Sequence, residues 1–219
     1  MIVFDNNGWL IDRVVVGELM VNCYIVIWKD TREAIIVDPG DDAERIVRRL
    51  RDLDAKASSI VLTHGHGDHI GGNHALRKFA NFPIFIGKLD AEMLTDAWLN
   101  LSAPFGLDTT SPPATQYLLE NDKIEVGSGE LRVIDTPGHS RGSITLVGDG
   151  FALVGDLIFQ GSIGRTDFPG GDQGLLLRMI REKITPLGDS CLLLPGHGEA
   201  TTVGEEKRYN PFLQPDFRF

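Results

Sequence analysis

The stretch "THGHGDH", residues 63–69, decides how this chain is interpreted, because it concentrates three histidines and one aspartate in a single turn. The whole sequence contains only six histidines. The residues that lead into it, "ASSIVLT" at 57–63, form a run typical of a buried strand. The cluster therefore lies just past a predicted strand end, where open α/β folds commonly build their sites.

Three further polar side chains occur in the same context downstream. His139 follows "LRVIDTPG", Asp156 follows "FALVG" and His197 follows "CLLLPG", and each comes directly after a glycine. Imidazole and carboxylate groups bind zinc, iron and manganese, and this collection is large enough for two ions. The sixth histidine, His74, stands outside the pattern and is interpreted as an ordinary surface or core residue.

The rest of the chain predicts alternating short strands and amphipathic helices. Helices are expected over 42–53, capped by Asp41 or Asp42, from Asp68 to about residue 80, and over 172–185. The predicted inner face of the first is Ala43, Ile46, Val47, Leu50 and Leu53, and that of the second is Ile70, Leu76, Phe79 and Ala80. Residues 98–115 predict an irregular surface or site-covering loop. No repeat or linker composition is present, so one domain is expected over 1–219.

Composition excludes several classes of function. The formal net charge is −10, from 31 acidic and 21 basic residues, and such a field repels nucleic acid. No signal peptide and no apolar run of about 18 residues is present, which predicts a cytoplasmic protein without a membrane partner. Cys23 and Cys191 lie in strand-like runs and are expected to be buried thiols rather than a disulfide.

The motifs resemble a known family along nearly the whole chain. "HGHGDH" with the later "PGH", "GD" and "PGHG" resembles the metallo-β-lactamase superfamily. "DTPGHSRGSI", "GDLIFQGSIGRTDFPGGD" and "TTVGEEKRYNPFL" are similar to the compact bacterial branch of glyoxalase II, the hydroxyacylglutathione hydrolases. The resemblance implies an α/β fold, a four-layer αββα sandwich, with a dinuclear metal site at one edge.

Carried over by position, the resemblance also implies a ligand set for two divalent ions per chain, with zinc favoured and iron or manganese as alternatives. One ion would take His64, His66 and His139, the other would take Asp68, His69 and His197, and Asp156 would bridge them. Asp68 and Asp156 are the candidate catalytic residues.

The activity that this centre predicts is thioester hydrolysis by a metal-bridging hydroxide. A thiolate leaving group, with a conjugate-acid pKa of about 8.5, hardly requires a general acid. The resemblance points to an acylated glutathione, such as S-lactoylglutathione, as the small-molecule substrate. Arg165 and Arg141 are the candidate substrate contacts, with Asp167 available as an ion-pair partner for Arg165.

Two other functions stay open. Persulfide dioxygenases share the fold and a "GRTDF" stretch, but use one iron held by the residues that match His64, His139 and Asp156. The tail "LLLPGHGEATTVGEEKRYNPF" looks like that of the hydrolases instead. A non-catalytic metal-binding domain is disfavoured because no ligand position is lost.

Overall fold

The computed structural model describes residues 1–214. It consists of two β-sheets packed face to face, with helices against both outer faces. Three apolar clusters mark the three interfaces between these four layers. The predicted αββα sandwich is therefore confirmed.

The strands are short, and their bounds follow in chain order: β1 (Ile2–Asn6), β2 (Trp9–Val16), β3 (Val21–Trp28), β4 (Glu33–Val37), β5 (Lys56–Leu62), β6 (Ile84–Gly87), β7 (Gln116–Leu118), β8 (Lys123–Val126), β9 (Gly129–Asp135), β10 (Ile144–Val147), β11 (Phe151–Gly155), β12 (Ile158–Phe159), β13 (Ser162–Ile163), β14 (Leu192–Pro195) and β15 (Thr201–Thr202). Strands β1 to β7 form the first sheet in sequential order, antiparallel up to β4 and parallel from β4 to β7. The second sheet has the order β15-β14-β11-β10-β9-β8, with β11 and β14 parallel, and β12 pairs with β13 alone.

The helices are α1 (Ala43–Asp52), α2 (Gly67–Ile70), α3 (Asn73–Leu76), α4 (Gln173–Met179) and α5 (Val203–Tyr209). A π-helical turn, Ile180–Ile184, continues α4, and 3₁₀ turns cover Lys88–Thr95, Ala103–Phe105, Thr185–Leu187 and Pro211–Leu213. No helix of residues 1–214 is both long and apolar enough to cross a bilayer.

The central core lies between the sheets and is built from aromatic, β-branched and leucine side chains that alternate along the strands. Phe151 is fully buried there and packs its ring against Phe4 and, edge-on, against Trp9. Truncating such a side chain to alanine costs about 3–5 kcal/mol, so this core fixes how the two sheets face each other.

Helix α1 has the predicted inner face, since Ala43, Ile46, Val47 and Leu50 are buried against the first sheet. The predicted capping position is confirmed at Asp42, but the side-chain cap is not formed. Asp42 is the N-cap residue, but it adopts a left-handed conformation with φ 51° and makes no side-chain cap bond. Its carboxylate instead accepts a hydrogen bond from the backbone N–H of Gly17, which ties α1 to the β2–β3 turn.

The predicted helix from Asp68 to residue 80 is broken. It forms two single turns, α2 and α3, because Gly72 donates its N–H to the carbonyl of Pro39 and the chain kinks there. Ile70 and Leu76 are buried as predicted, whereas Phe79 is 48% exposed and Ala80 is also exposed. The inner face predicted for this segment is therefore only half right.

Both cysteines are free and buried, as expected. Burial raises the pKa of the Cys191 thiol to about 11 and raises that of Cys23 well above its usual value.

Residues 98–115 contain a single 3₁₀ turn and are otherwise irregular. The carbonyl of Asn100 in this loop accepts a hydrogen bond from the N–H of Gly67 in the histidine turn.

Candidate metal centre

Four strands of the two sheets end at one edge of the sandwich and deliver the candidate ligands there. The turn that follows β5 holds His64, His139 follows β9, Asp156 follows β11 and His197 follows β14. An antiparallel bridge between Val21 and His197 connects the first sheet to the loop after β14. The sequence-predicted ligands thus converge although up to 133 positions separate them in the chain.

Six of the seven predicted ligand side chains fall into two compact groups. The three-histidine group is His64, His66 and His139, and all three rings are buried, with centroids 4.6–4.8 Å apart. The mixed group is Asp68, His69 and His197. Within each group the candidate ligand atoms lie within 4.8 Å of one another, a spacing that suits a single ion.

Asp156 lies between the two groups. One carboxylate oxygen is 3.5 Å from Nε2 of His69, and the other is 3.6 Å from Nε2 of both His139 and His197. The structure thus brings together all seven residues that the sequence predicts as metal ligands. His74, predicted to play no part, is exposed on α3 and belongs to neither group.

Four of the histidines are oriented by a hydrogen bond at Nδ1. His139 contacts the carbonyl of Arg165 at 2.7 Å, His197 contacts that of Leu19 at 3.0 Å, and His69 contacts the carboxylate of Asp38 at 3.0 Å. These partners only accept, so Nδ1 carries the hydrogen and, in the neutral ring, the lone pair is on Nε2. This pattern is typical of metal-binding histidines.

His64 is held in the same way through an intermediate. The hydroxyl of Thr63 donates to Asp38 at 2.6 Å, so its oxygen is free to accept from Nδ1 of His64 at 3.1 Å. One carboxylate, that of Asp38, therefore orients a histidine in each group. Asp38 follows β4 in "VDPG", the same strand-end context as the predicted ligands, and that signal could have identified it from the sequence.

The donor atoms at the centre fit a bound cation. Nε2 of His64, Nε2 of His139 and Oδ1 of Asp156 are buried and have no hydrogen-bond partner within residues 1–214. Unpaired buried polar atoms are costly, and a metal ion satisfies all of them at once. The two groups and the shared carboxylate therefore fit a dinuclear metal site.

The two groups differ in electrostatics. Burial and the neighbouring His139 lower the pKa of His66 to about 3, and burial with His69 lowers the pKa of His64 well below its usual value. Burial also acts to lower the pKa of His69, but the carboxylates of Asp68, Asp156 and Asp38 outweigh it and raise that pKa to about 10.

Asp68 is the acidic counterpart of His69. Burial acts to raise the pKa of Asp68, but His69 and His197 hold it well below its usual range. Without metal, the three-histidine group thus has neutral rings at His64 and His66, while the mixed group carries both a proton and negative charge.

The loop that carries His197 is fixed from the first sheet. The hydroxyl of Tyr24 donates to the carbonyl of Pro195 at 2.8 Å, and the side-chain amide of Asn22 donates to the carbonyls of Pro195 and Gly198. Gly196 leaves no room for a side chain, since a Cβ there would lie 2.2 Å from Oδ1 of Asp156. The glycine lets the main chain pass directly behind the bridging carboxylate.

The predicted substrate contacts lie on two loops beside the three-histidine group, Arg165 on the loop after β13 and Arg141 on the loop between β9 and β10. Arg165 is exposed, makes a two-pronged ion pair with Asp167 at 2.7 and 2.9 Å, and stacks 4.1 Å above the Phe168 ring. Phe168 in turn lies 6.2 Å from His66, ring to ring. Arg141 is exposed beside Gly170 and makes no ion pair with residues 1–214.

Comparison with known proteins agrees with this geometry. The model of the metallo-β-lactamase superfamily matches residues 16–197. A hydroxyacylglutathione hydrolase, GloC, of Haemophilus influenzae is 36% identical over 93% of this chain and 97% of its own length. The probable metallo-hydrolase YqgX of Bacillus subtilis is 38% identical over 92% and 96%.

Solved structures give the same result. The B3 metallo-β-lactamase BLEG-1 superposes with a TM-score of 0.89 at 37% identity, covering 93% of this chain and 99% of that one. TTHA1623, in a di-iron-bound form, gives 0.81 at 30% identity, covering 92% and 100%. ETHE1 from Myxococcus xanthus gives 0.77 at 25% identity, covering 93% and 84%. Its candidate ligand side chains lie at one edge of the sandwich, and the chain belongs to the metallo-β-lactamase superfamily.

Proposed function

We propose that this chain is a dinuclear metallo-hydrolase that cleaves the thioester of an acylated glutathione. The observation that carries the proposal is the pair of adjacent ligand groups joined by Asp156, with buried donor atoms left unpaired. The similarity to a hydroxyacylglutathione hydrolase over almost the full length of both proteins supports the choice of substrate.

Two divalent ions bound here would supply an activated water as nucleophile and would polarise the substrate carbonyl. His64, His66 and His139 would hold one ion, Asp68, His69 and His197 the other, and Asp156 both. The Nδ1 hydrogen bonds described above fix four of the rings before any ion binds, so little reorganisation is required.

The chain's own groups suit a leaving group that departs without a proton. Asp68 is ionised at neutral pH, because its pKa lies well below the usual range, and it has no proton to donate. A thiolate leaves with a conjugate-acid pKa of about 8.5, whereas an amine or alkoxide leaving group needs protonation. A thioester therefore matches this site better than an amide.

We assign recognition of an anionic thiol carrier to the β9–β10 loop, which carries Arg141, and to the loop after β13, which carries Arg165. Glutathione carries two carboxylates, and Arg141 offers a guanidinium that is not committed to an ion pair. Arg165 must first release Asp167, so we place Arg141 as the main contact and Arg165 as a secondary one. Phe168 would supply an apolar wall between Arg165 and His66.

The test combines metal content with two activities on one preparation. We expect about two ions per chain by elemental analysis, and release of free thiol from S-lactoylglutathione without oxygen uptake. A chain loaded with two ions that releases no thiol from any acyl-glutathione would contradict the thioesterase proposal.

A second candidate is oxygen-dependent persulfide chemistry at a single iron, which the similarity to ETHE1 favours. It would use His64, His139 and Asp156, and would leave the mixed group without a role. That group is fully assembled, with Nε2 of His197 3.3 Å from both Asp68 and His69. Oxygen consumption with glutathione persulfide, together with one iron per chain, would establish this alternative instead.

A further inference from the structure

A buried carboxylate outside the ligand set joins the two loops that form the three-histidine group. Asp90 lies in the 3₁₀ turn after β6 and is 1% exposed. It belongs to no predicted element, and no motif in the sequence marks it.

Asp90 accepts hydrogen bonds from both loops. One carboxylate oxygen accepts from the N–H of Gly142 at 2.6 Å, and the other accepts from the N–H of Gly65 at 3.1 Å and from the hydroxyl of Ser140. Gly65 lies between His64 and His66, and Ser140 directly follows His139. The carboxylate of Asp90 is thus hydrogen-bonded to the chain next to all three histidines of the group.

The main chain at Gly142 is packed tightly against Asp90. A Cβ on Gly142 would lie 2.4 Å from the backbone nitrogen of Asp90, so only glycine lets the second loop approach so closely. At the base of the same two loops, the N–H of Ile144 donates to the carbonyl of Thr63 at 2.8 Å. The backbone bond fixes the base, and Asp90 fixes the part that carries the histidines.

We propose that Asp90 is a positioning residue that sets the spacing of His64, His66 and His139, and thereby the affinity of that group for its ion. This inference rests on the proposed dinuclear site, but not on its substrate. An ionised carboxylate can serve three donors, whereas an amide at the same place turns its own NH₂ toward at least one of them.

The experiment measures the ion affinity of each group separately by chelator competition with zinc. His197→Ala disables the mixed group and reports on the three-histidine group, and His66→Ala does the reverse. Asp90→Asn is placed in each background, and Asp12→Asn is the matched control, because Asp12 is also fully buried but pairs with Arg49, away from both loops.

We expect Asp90→Asn to weaken zinc binding at the three-histidine group by about 10–100-fold and at the mixed group by less than about threefold. The visible spectrum of the cobalt-substituted three-histidine group should change too, a signature that loss of global stability does not produce. Asp12→Asn should lower Tm and leave both affinities unchanged.

A folded Asp90→Asn variant with unchanged affinity at the three-histidine group, or with equal losses at both groups, would overturn the proposal. If Asp90→Asn does not fold, Ser140→Ala decides. It removes one of the three bonds and should weaken the same group by about 3–10-fold, and an unchanged affinity would refute the role of Asp90. These measurements use no thioester, so absence of thiol release would leave their outcome intact.

Discussion

The two ligand groups are neighbours built on different physical principles. The three-histidine group is closed: its rings are buried, and those of His64 and His66 are neutral without metal. The mixed group is partly open, with Asp68 23% and His197 27% exposed, and it holds a proton on His69 through surrounding carboxylates. Burial keeps rings of the first group neutral, whereas carboxylates keep a proton on His69 in the second. The metal affinities of the two groups should therefore respond differently to pH and to mutation.

The largest effect is expected at the carboxylate of Asp156, which both groups share. Asp156→Ala should remove both ions at once, because Asp156 contacts histidines of both groups, and thiol release should fall by about 10³-fold or more. Elemental analysis and the thiol assay check this. His74→Ala is the control and should keep full metal content. Retention of one tightly bound ion in the Asp156 variant would show that the groups are independent.

The two groups should also differ in how their zinc affinity depends on pH. The pKa of His69 is raised to about 10, above its unfolded value of about 6.5, so the metal-free ring is protonated at neutral pH and an ion must displace that proton. The pKa of His197 is raised as well, so zinc affinity of the mixed group should rise at least about tenfold per pH unit, or at least about 100-fold between pH 6.5 and 8.5.

His64 and His66 release no proton in that range, because their pKa values are lowered. The three-histidine group should accordingly change much less. Chelator competition at three pH values in the His66→Ala and His197→Ala backgrounds measures both slopes. Equal slopes would contradict the difference in charge between the groups.

Removal of the Asp38 carboxylate should weaken mainly the mixed group, whereas removal of the Asp90 carboxylate should weaken mainly the three-histidine group. Asp38→Asn loses the charge that contacts His69 directly but reaches His64 only through Thr63. We expect zinc affinity to fall about 10–100-fold at the mixed group and several-fold less at the other. The same competition assay applies, and a larger loss at the three-histidine group would be inconsistent with this arrangement.

The smallest expected effect concerns the substrate. Arg141→Ala should raise KM for S-lactoylglutathione about tenfold with little change in kcat, because the guanidinium would contact the distant carboxylates of the substrate. Arg165→Ala should raise KM less, since Arg165 is already paired with Asp167. Steady-state kinetics on both variants decides the ranking, and a larger effect at Arg165 would reverse our assignment.

The sequence identified the candidate ligands that the structure brings together, because the histidine turn and His139, Asp156 and His197 each follow an apolar strand, a local pattern. Asp38 shares the strand-end pattern although it is not among the predicted ligands, and Asp90 escapes prediction for a different reason. Asp90 acts on backbone N–H groups of Gly65 and Gly142, which are 25 and 52 positions away. Long-range bonds to the main chain leave no signature in side-chain periodicity.

Helix prediction failed at the same kind of contact. Periodicity placed Phe79 on an inner face, but the bond from Gly72 to Pro39 divides the helix into two short turns, and Phe79 lies beyond the second turn and is exposed. Helix α1 has no such contact within its length, and the apolar face predicted for it is buried as expected. Local patterns therefore held wherever the tertiary structure did not compete with the helix for backbone hydrogen bonds.

The two cysteines have a practical consequence for the proposed thioesterase. Both sulfurs are buried and poorly ionised at neutral pH, so neither is a competent nucleophile toward an acyl-thioester. The catalyst should resist self-acylation by its own substrate. A disulfide reagent added to the folded protein should report only the thiol set free during turnover.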